Sequence, residues 1–270
     1  MLFGLAALVL PTLVSLARLA WSTEAGAHGP IVLATGLWLF WRRWPELMEM
    51  RRPGNSALTV AAFLGMLPFY IFGRAYDFLF IEAGALFGAL CVLFYGRFGG
   101  AAMCRHWFLL VYMAFLVQPP GWAMDSLTAP LKAFVSAASS DFMRALGFPV
   151  YREGVTLYIS QYQLLVEDAC SGLNSLVGLT SISLFYIYVL RETGWRYSLL
   201  LTGLIVPVAV LANIVRISML VLLTYYFGDS VVQGFLHFAP GFLLFALSLA
   251  LIFGIDAGLG RLLGLRERRL

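Results

Sequence analysis

Charge is scarce in this 270-residue chain: Asp, Glu, Lys and Arg together make up 12% of it, against 61% hydrophobic residues. Soluble domains carry about 25% charged and roughly 45–50% apolar residues. A water-facing surface all round is therefore excluded, and the mean hydropathy of +0.87 points to a bilayer as the natural solvent. Cysteine and histidine are scarce too. Three cysteines form no C-x-x-C pair and only three histidines accompany them, which gives no basis for a zinc cluster or a disulfide framework. No phosphate-binding loop or ligand cluster occurs, so neither a metal nor an organic cofactor is expected. The basic excess is slight, 18 Lys and Arg against 14 Asp and Glu, and gives no reason to expect nucleic acid. The N-terminus lacks a charged segment ahead of its first apolar run. That run continues too long for a cleaved signal peptide and reads as a first membrane span.

What the chain does have is long apolar runs. A spanning helix needs about 20 mostly apolar residues. Eight candidates occur, at roughly 2–21, 30–44, 56–73, 78–96, 106–122, 171–190, 198–226 and 237–257, the second short and the seventh long. The expected fold is an all-α polytopic membrane protein of about eight transmembrane helices, one integral domain over residues 1–270. With a cytoplasmic N-terminus, the cytoplasmic segments hold Arg42, Arg43, Arg51, Arg52, Arg97, Arg105, Arg191, Arg196, Arg261, Arg266, Arg268 and Arg269. The opposite side holds Arg74, Lys132, Arg144 and Arg152, while Arg18 and Arg216 fall within spans or at their edges. Basic residues concentrate on the cytoplasmic side of such proteins, so both termini are expected there.

This orientation makes the longest connection, about 123–170, extracytoplasmic. Residues 127–147 place apolar side chains at helical spacing, which fits an amphipathic helix in the interface or a buried connector helix equally well. Residues 155–168 are rich in β-branched and aromatic residues around a polar break and read as a small hairpin or extended pair above the hydrocarbon.

The hairpin runs into "LVEDACSGLNSLVGL", where Glu167, Asp168, Cys170 and Ser171 form a polar knot at the mouth of the sixth span. Arg216 interrupts the seventh. An unpaired arginine in lipid costs several kcal/mol, so it should face protein or water. Lying 18 residues beyond Ser198, it reaches about 27 Å across a core about 30 Å thick. His237 stands at the outer mouth of the eighth span. Three residue types used in thiol catalysis thus share a depth. A nearby cation favours the thiolate, a histidine can move the proton, and a guanidinium can stabilise an oxyanion. Gly172 and the amides opening the sixth helix add positive dipole character beside Cys170.

The residues reached so far resemble motifs of the exosortase/archaeosortase family. "EDACSGLNSL" resembles the family's cysteine motif, "ANIVRI" its N-x-x-R motif with Asn213 and Arg216, and "HFAPG" its closing histidine motif. "HGPIVLATGLWLFWRR", beginning at His28, resembles its early H-G-x-x-x-L segment, and the similarity spans about residues 25–260. The resemblance implies a membrane-embedded cysteine transpeptidase that cuts C-terminal sorting signals: a short motif such as Pro-Glu-Pro, an apolar helix and a basic tail. It implies Cys170 as nucleophile, Arg216 as anion stabiliser and His237 as general acid/base. Glu167, Asp168, Ser171, Gly172, Asn213 and His28 are its supporting or substrate-binding candidates. Partners would be the lipid bilayer, membrane-tethered substrate proteins and an unidentified acceptor, at the outer face of a bacterial cytoplasmic membrane.

Plainer readings stand beside these. Cys170 could be a buried structural cysteine, the class expected for Cys91 and Cys104. Arg216 could pair with Glu167 or Asp168, His237 could bond an interfacial carbonyl, and one of the two acids could cap the sixth helix. Glu82, inside the fourth span, could simply bond a neighbouring helix. A transporter with Arg216 and Glu82 along a polar path, or a non-catalytic assembly factor, is the alternative function.

Overall fold

A computed structural model describes residues 2–23, 26–159, 161–165, 176–190, 195–228, 249–251 and 253–259. The chain divides into two compact units, Met1–Pro120 and Gly121–Leu270.

The first unit is helical. Helix α1 (Leu2–Ser15) passes into a π-helical turn, Leu16–Ala20, and is followed by α2 (Gly29–Arg42), α3 (Trp44–Glu49), α4 (Ser56–Ala75), α5 (Leu79–Arg105) and α6 (Trp107–Ala114). Helices α4 and α5 form the main hairpin of this unit. Asn55 starts α4 by accepting a bond from the Leu58 amide at 3.1 Å, a side-chain N-cap. At the hairpin's closed end a Cβ on Gly73 would lie 2.4 Å from the Glu82 amide, so only glycine lets the helices meet there. Gly99, at φ +83°, breaks the helical path of α5 where the Arg52 carbonyl crosses it.

The second unit opens with α7 (Gly121–Ala145), followed by an antiparallel meander of β1 (Val150–Glu153), β2 (Thr156–Ile159) and β3 (Tyr162–Leu165). The strands pair with Tyr151 opposite Tyr158 and Tyr158 opposite Gln163. The expected hairpin is thus a three-stranded sheet, its first strand lying upstream of the predicted segment. Helices α8 (Leu176–Leu190) and α9 (Trp195–Phe227) follow, and residues 249–251 and 253–259 are helical.

Among the described residues, three helices are long and apolar enough to cross a membrane: α4, α5 and, over Tyr197–Phe227, α9. Only 11% of the apolar window of α4 is buried, so the hydrocarbon itself must cover most of that helix. Several expected spans are shorter than predicted. Helix α2 has 14 residues, about 21 Å, short of the ~30 Å hydrocarbon. The run 106–122 contains the eight-residue α6 and turns over residues 115–117, ahead of Pro119 and Pro120. Most of the run 237–257 lies outside the described residues.

Helix α7 buries Thr128, Lys132, Ser136, Ser139 and Ser140 together with Val135 and Met143. Its exposed side mixes Trp122, Leu127, Phe134 and Phe142 with the charged Asp125, Asp141 and Arg144.

Candidate functional site

Helix α9 sets the frame. Its 33 residues extend about 50 Å, more than a bilayer core. Its distal part carries Ile217, Leu220 and Val221, which pack with Val135 and Met143 of α7 and with Val150, Leu157 and Ile159 of the sheet. Its middle part packs on α8, Leu179 lying against Ile205, Val208 and Ala209. Its proximal part meets the other end of α8, Ile187 packing with Tyr197 and Leu201. Helices α8 and α9 therefore run antiparallel.

Arg216 sits between the part of α9 that packs on α8 and the part that packs on the sheet, and is buried at 3% exposure. Asn213, one turn earlier on the same helix face, is 4% exposed. Its Nδ2 donates to the Ala209 carbonyl at 2.8 Å, while its Oδ1 is buried with no hydrogen-bond partner among the described residues. At 100° per residue, Asn213 lies angularly between Leu220 and Ile217, so it faces the packed seam with α7 and the sheet. By the same count Lys132 and Ser139 lie between Val135 and Met143 on the α7 side of that seam. The hydroxyls of Ser136, Ser139 and Ser140 are buried without a partner among the described residues. Lys132 Nζ donates to Asp125 Oδ1 at 3.0 Å.

The chain on either side of the cysteine motif comes to this stretch of α9. Leu164 of β3 packs into the same core as Ile217 and Val221. Leu176, at the other side, begins α8 three residues before Leu179. Continuing the antiparallel pairing by one turn puts it level with about residue 212 of α9. Residues 164 and 176 thus bracket the Asn213–Arg216 level.

Glu167, Asp168, Cys170, Ser171, Gly172 and His237 themselves lie outside the described residues. The structure therefore brings together Asn213 and Arg216, on one face of one helix. His28 belongs to the first unit, where it precedes α2 as its N-cap residue, is 7% exposed, and accepts the Val32 amide on its carbonyl at 2.9 Å.

A profile of the transmembrane exosortase family matches residues 21–254. The chain belongs to the transmembrane exosortase family. Exosortases are membrane-embedded sorting transpeptidases, generally cysteine-dependent, that act on exported proteins. No curated protein and no solved structure gives a match to this exosortase.

Sequence reasoning missed two features of the exosortase's second unit. The first is the buried polar stripe of α7. Its signal was present in the spacing of Thr128, Lys132, Ser136 and Ser140, every fourth residue, but that spacing alone does not say which face is covered. The second is Asp256, fully buried, whose two carboxylate oxygens accept from Tyr186 at 2.6 Å and Tyr197 at 2.7 Å. It ties α8, α9 and the helical residues 253–259 together at the end of α8 away from Leu176.

In the first unit Glu82 takes the role of a helix-to-helix bond. Its Oε1 accepts from Thr12 of α1 at 2.7 Å and from Arg74 of α4 at 2.9 Å. Cys91 is half-buried, but Cys104 is exposed rather than buried as its apolar setting suggested. It falls on the last turn of α5, about 200° around the helix from the buried Ala102.

Proposed function

We propose that this exosortase is a cysteine transpeptidase whose nucleophile is Cys170, assisted by Arg216 and His237. The observation that carries the reading is the bracketing of the cysteine motif. Leu164 on one side and Leu176 on the other both come to α9 within about two turns of a buried arginine. One turn from it, Asn213 Oδ1 is a buried acceptor with no partner among the described residues, which fits a site that takes a peptide N–H.

In this reaction the Cys170 thiolate attacks the scissile carbonyl carbon of the sorting signal. The carbonyl π electrons move to oxygen, and the Arg216 guanidinium stabilises the resulting oxyanion. The C–N bond then breaks. His237 delivers to the leaving amine the proton it took from the thiol, leaving a thioester on Cys170. A nucleophilic acceptor attacks that thioester, its proton passes to His237, and the thiolate leaves to restore the starting state. Glu167 and Asp168 orient the cation and the imidazole, and Ser171, Gly172 and Asn213 line the substrate.

Both termini are cytoplasmic in this reading and the site opens at the outer face of a bacterial inner membrane. Substrates are membrane-tethered proteins with a Pro-Glu-Pro-like C-terminal signal that arrive laterally. A transporter path through Arg216 and Glu82 finds little support, because Glu82 is already held by Thr12 and Arg74.

The test co-expresses a substrate bearing such a signal with wild-type and Cys170→Ala enzyme at equal abundance. Processing should stop in the variant. The wild-type enzyme should yield a hydroxylamine-sensitive acyl adduct on Cys170 by mass spectrometry. Full processing by Cys170→Ala eliminates the cysteine mechanism and leaves a transporter or assembly role.

A further inference from the structure

Outside the catalytic region, the first unit carries a cleft of about 460 Å³ lined by Leu10, Pro11, Val14, Ser15, Leu19, Arg18 and Arg74. Leu10, Pro11 and Val14 precede Arg18 along the chain, while Leu19 stands beside it in the same turn. The apolar residues belong mainly to α1, and Leu10, Val14 and Leu19 are exposed. In a membrane protein such side chains meet acyl chains. The guanidiniums lie toward one end. Arg74 is in the last turn of α4, 18 residues from its first residue, Ser56, or about 27 Å along a hydrocarbon core about 30 Å thick. That is the level at which lipid phosphates begin.

The two arginines differ in their commitments. Arg74 donates to Glu82 at 2.9 Å and to Ser15 at 3.5 Å, so its charge is balanced within the unit. Arg18 makes no ion pair among the described residues and is exposed. It lies in the π-helical turn Leu16–Ala20, closed by the Trp21 amide bonding the Leu16 carbonyl at 2.8 Å. Single π-turns recur at functional positions because the added residue re-aims its neighbours. The cleft therefore carries one unbalanced positive charge at phosphate height above an apolar trough.

We infer that this cleft binds an anionic phospholipid, the phosphodiester seated between Arg18 and Arg74 and one acyl chain along Leu10 and Val14. Guanidinium and phosphate form paired, geometrically matched hydrogen bonds. A basic group at the membrane surface contributes about 1 kcal/mol toward an anionic lipid. The site does not rest on the catalytic assignment, since it uses none of the residues named there.

The test uses the full chain in detergent. Phosphatidylglycerol and phosphatidylcholine are added separately at equal mole fraction, with retained lipid counted by native mass spectrometry and thermal stability read in parallel. Wild-type protein should retain phosphatidylglycerol in preference to phosphatidylcholine and gain stability from it. Arg18→Gln, at an exposed position, should keep its lipid-free melting temperature and bind phosphatidylglycerol about fivefold more weakly. Val14→Trp, which fills the trough without touching charge, should lose retention as well. Equal retention by wild type and both variants, or equal retention of the two lipids, overturns the proposal. So does protection by millimolar inorganic phosphate alone, which would mark a free-anion site. An Arg18-dependent shift produced by a synthetic acidic peptide but not by phosphatidylglycerol overturns it equally.

Discussion

Two polar clusters, one in each unit, handle buried polarity in opposite ways. In the first, Glu82 is met by Thr12 and Arg74, Thr12 also reaches the Tyr70 hydroxyl at 3.2 Å, and Tyr70 donates to the Leu8 carbonyl at 2.9 Å. Every group in that knot has a partner, and it joins α1, α4 and α5. In the second, Asn213 Oδ1 and the hydroxyls of Ser136, Ser139 and Ser140 are buried without one among the described residues. A buried polar group without a hydrogen bond costs about 1–3 kcal/mol. A saturated cluster is a fastening. An unsaturated seam beside a buried arginine is a stability cost, one that sites for a polar ligand commonly carry.

The contrast is broken most forcefully by exchanging the two arginine roles. Arg216→Gln should lower substrate processing about 100-fold, the magnitude typical of losing one oxyanion donor. Arg74→Gln should leave processing per folded molecule unchanged and lower the melting temperature. Quantitative processing assays at matched folded enzyme separate the two. If both variants lose activity in proportion to their folded fraction, Arg216 is a fastening too.

Glu82→Ala comes next. It leaves Thr12 and Arg74 without their acceptor and should destabilise the protein by about 2 kcal/mol, tempered because the Arg74 side chain is 45% exposed. Glu82→Gln keeps an acceptor and should cost less. Chemical denaturation in detergent reads the order, and an unchanged midpoint for Glu82→Ala would remove the fastening from the account.

Asn213→Leu sharpens the comparison from the other side. Replacing an unsatisfied buried amide by an apolar group should raise stability by about 1 kcal/mol while reducing processing. A variant that is both less stable and fully active would show that Asn213 is part of the packing alone.

The smallest expected effect is on pH. His106, at the junction of α5 and α6, is buried, and burial holds its pKa below the usual histidine range, with Arg43 and Arg105 adding to this and Glu46 opposing it. For Glu46, burial pulls upward, but the Arg105 hydrogen bond and the charges of His106, Arg43 and Arg105 outweigh it and hold the carboxyl low. In both cases the unfolded chain binds protons before the folded one does. Stability should therefore fall as pH drops through the ordinary histidine range, and again through the ordinary carboxylate range. His106→Gln should flatten the first step. A melting temperature that rises on acidification from pH 7 to 5 contradicts the sign.

The same contrast explains what the sequence could disclose. The membrane class, the family and the placement of Arg216 in a long helix were legible because long apolar runs and an isolated cation are local signals. The strands were partly legible. "VTLYI" shows β-branched and aromatic enrichment, but β1, "VYRE", has no apolar alternation to mark it and is recruited by pairing with β2. Helix α7 was legible as a helix and not in its orientation, because its polar stripe is equally compatible with water outside or protein inside. Glu82 stood out as an acid inside an expected span, whereas Asp256, at the end of the last apolar run, did not. Their partners, Thr12 and Arg74 in one case and Tyr186 and Tyr197 in the other, come from other helices and leave no trace in local sequence.

The central claim is that the Cys170 thiol works beside the Arg216 position, and it can be measured as a distance. In a Cys91→Ala, Cys104→Ala background, Arg216→Cys leaves two thiols, at positions 170 and 216. A short bifunctional thiosulfonate, applied from the outer side and followed by peptide mass spectrometry, should join them within one chain in most molecules. Efficient single labelling of both thiols with no intramolecular link, even with a long-spacer reagent, would contradict the account.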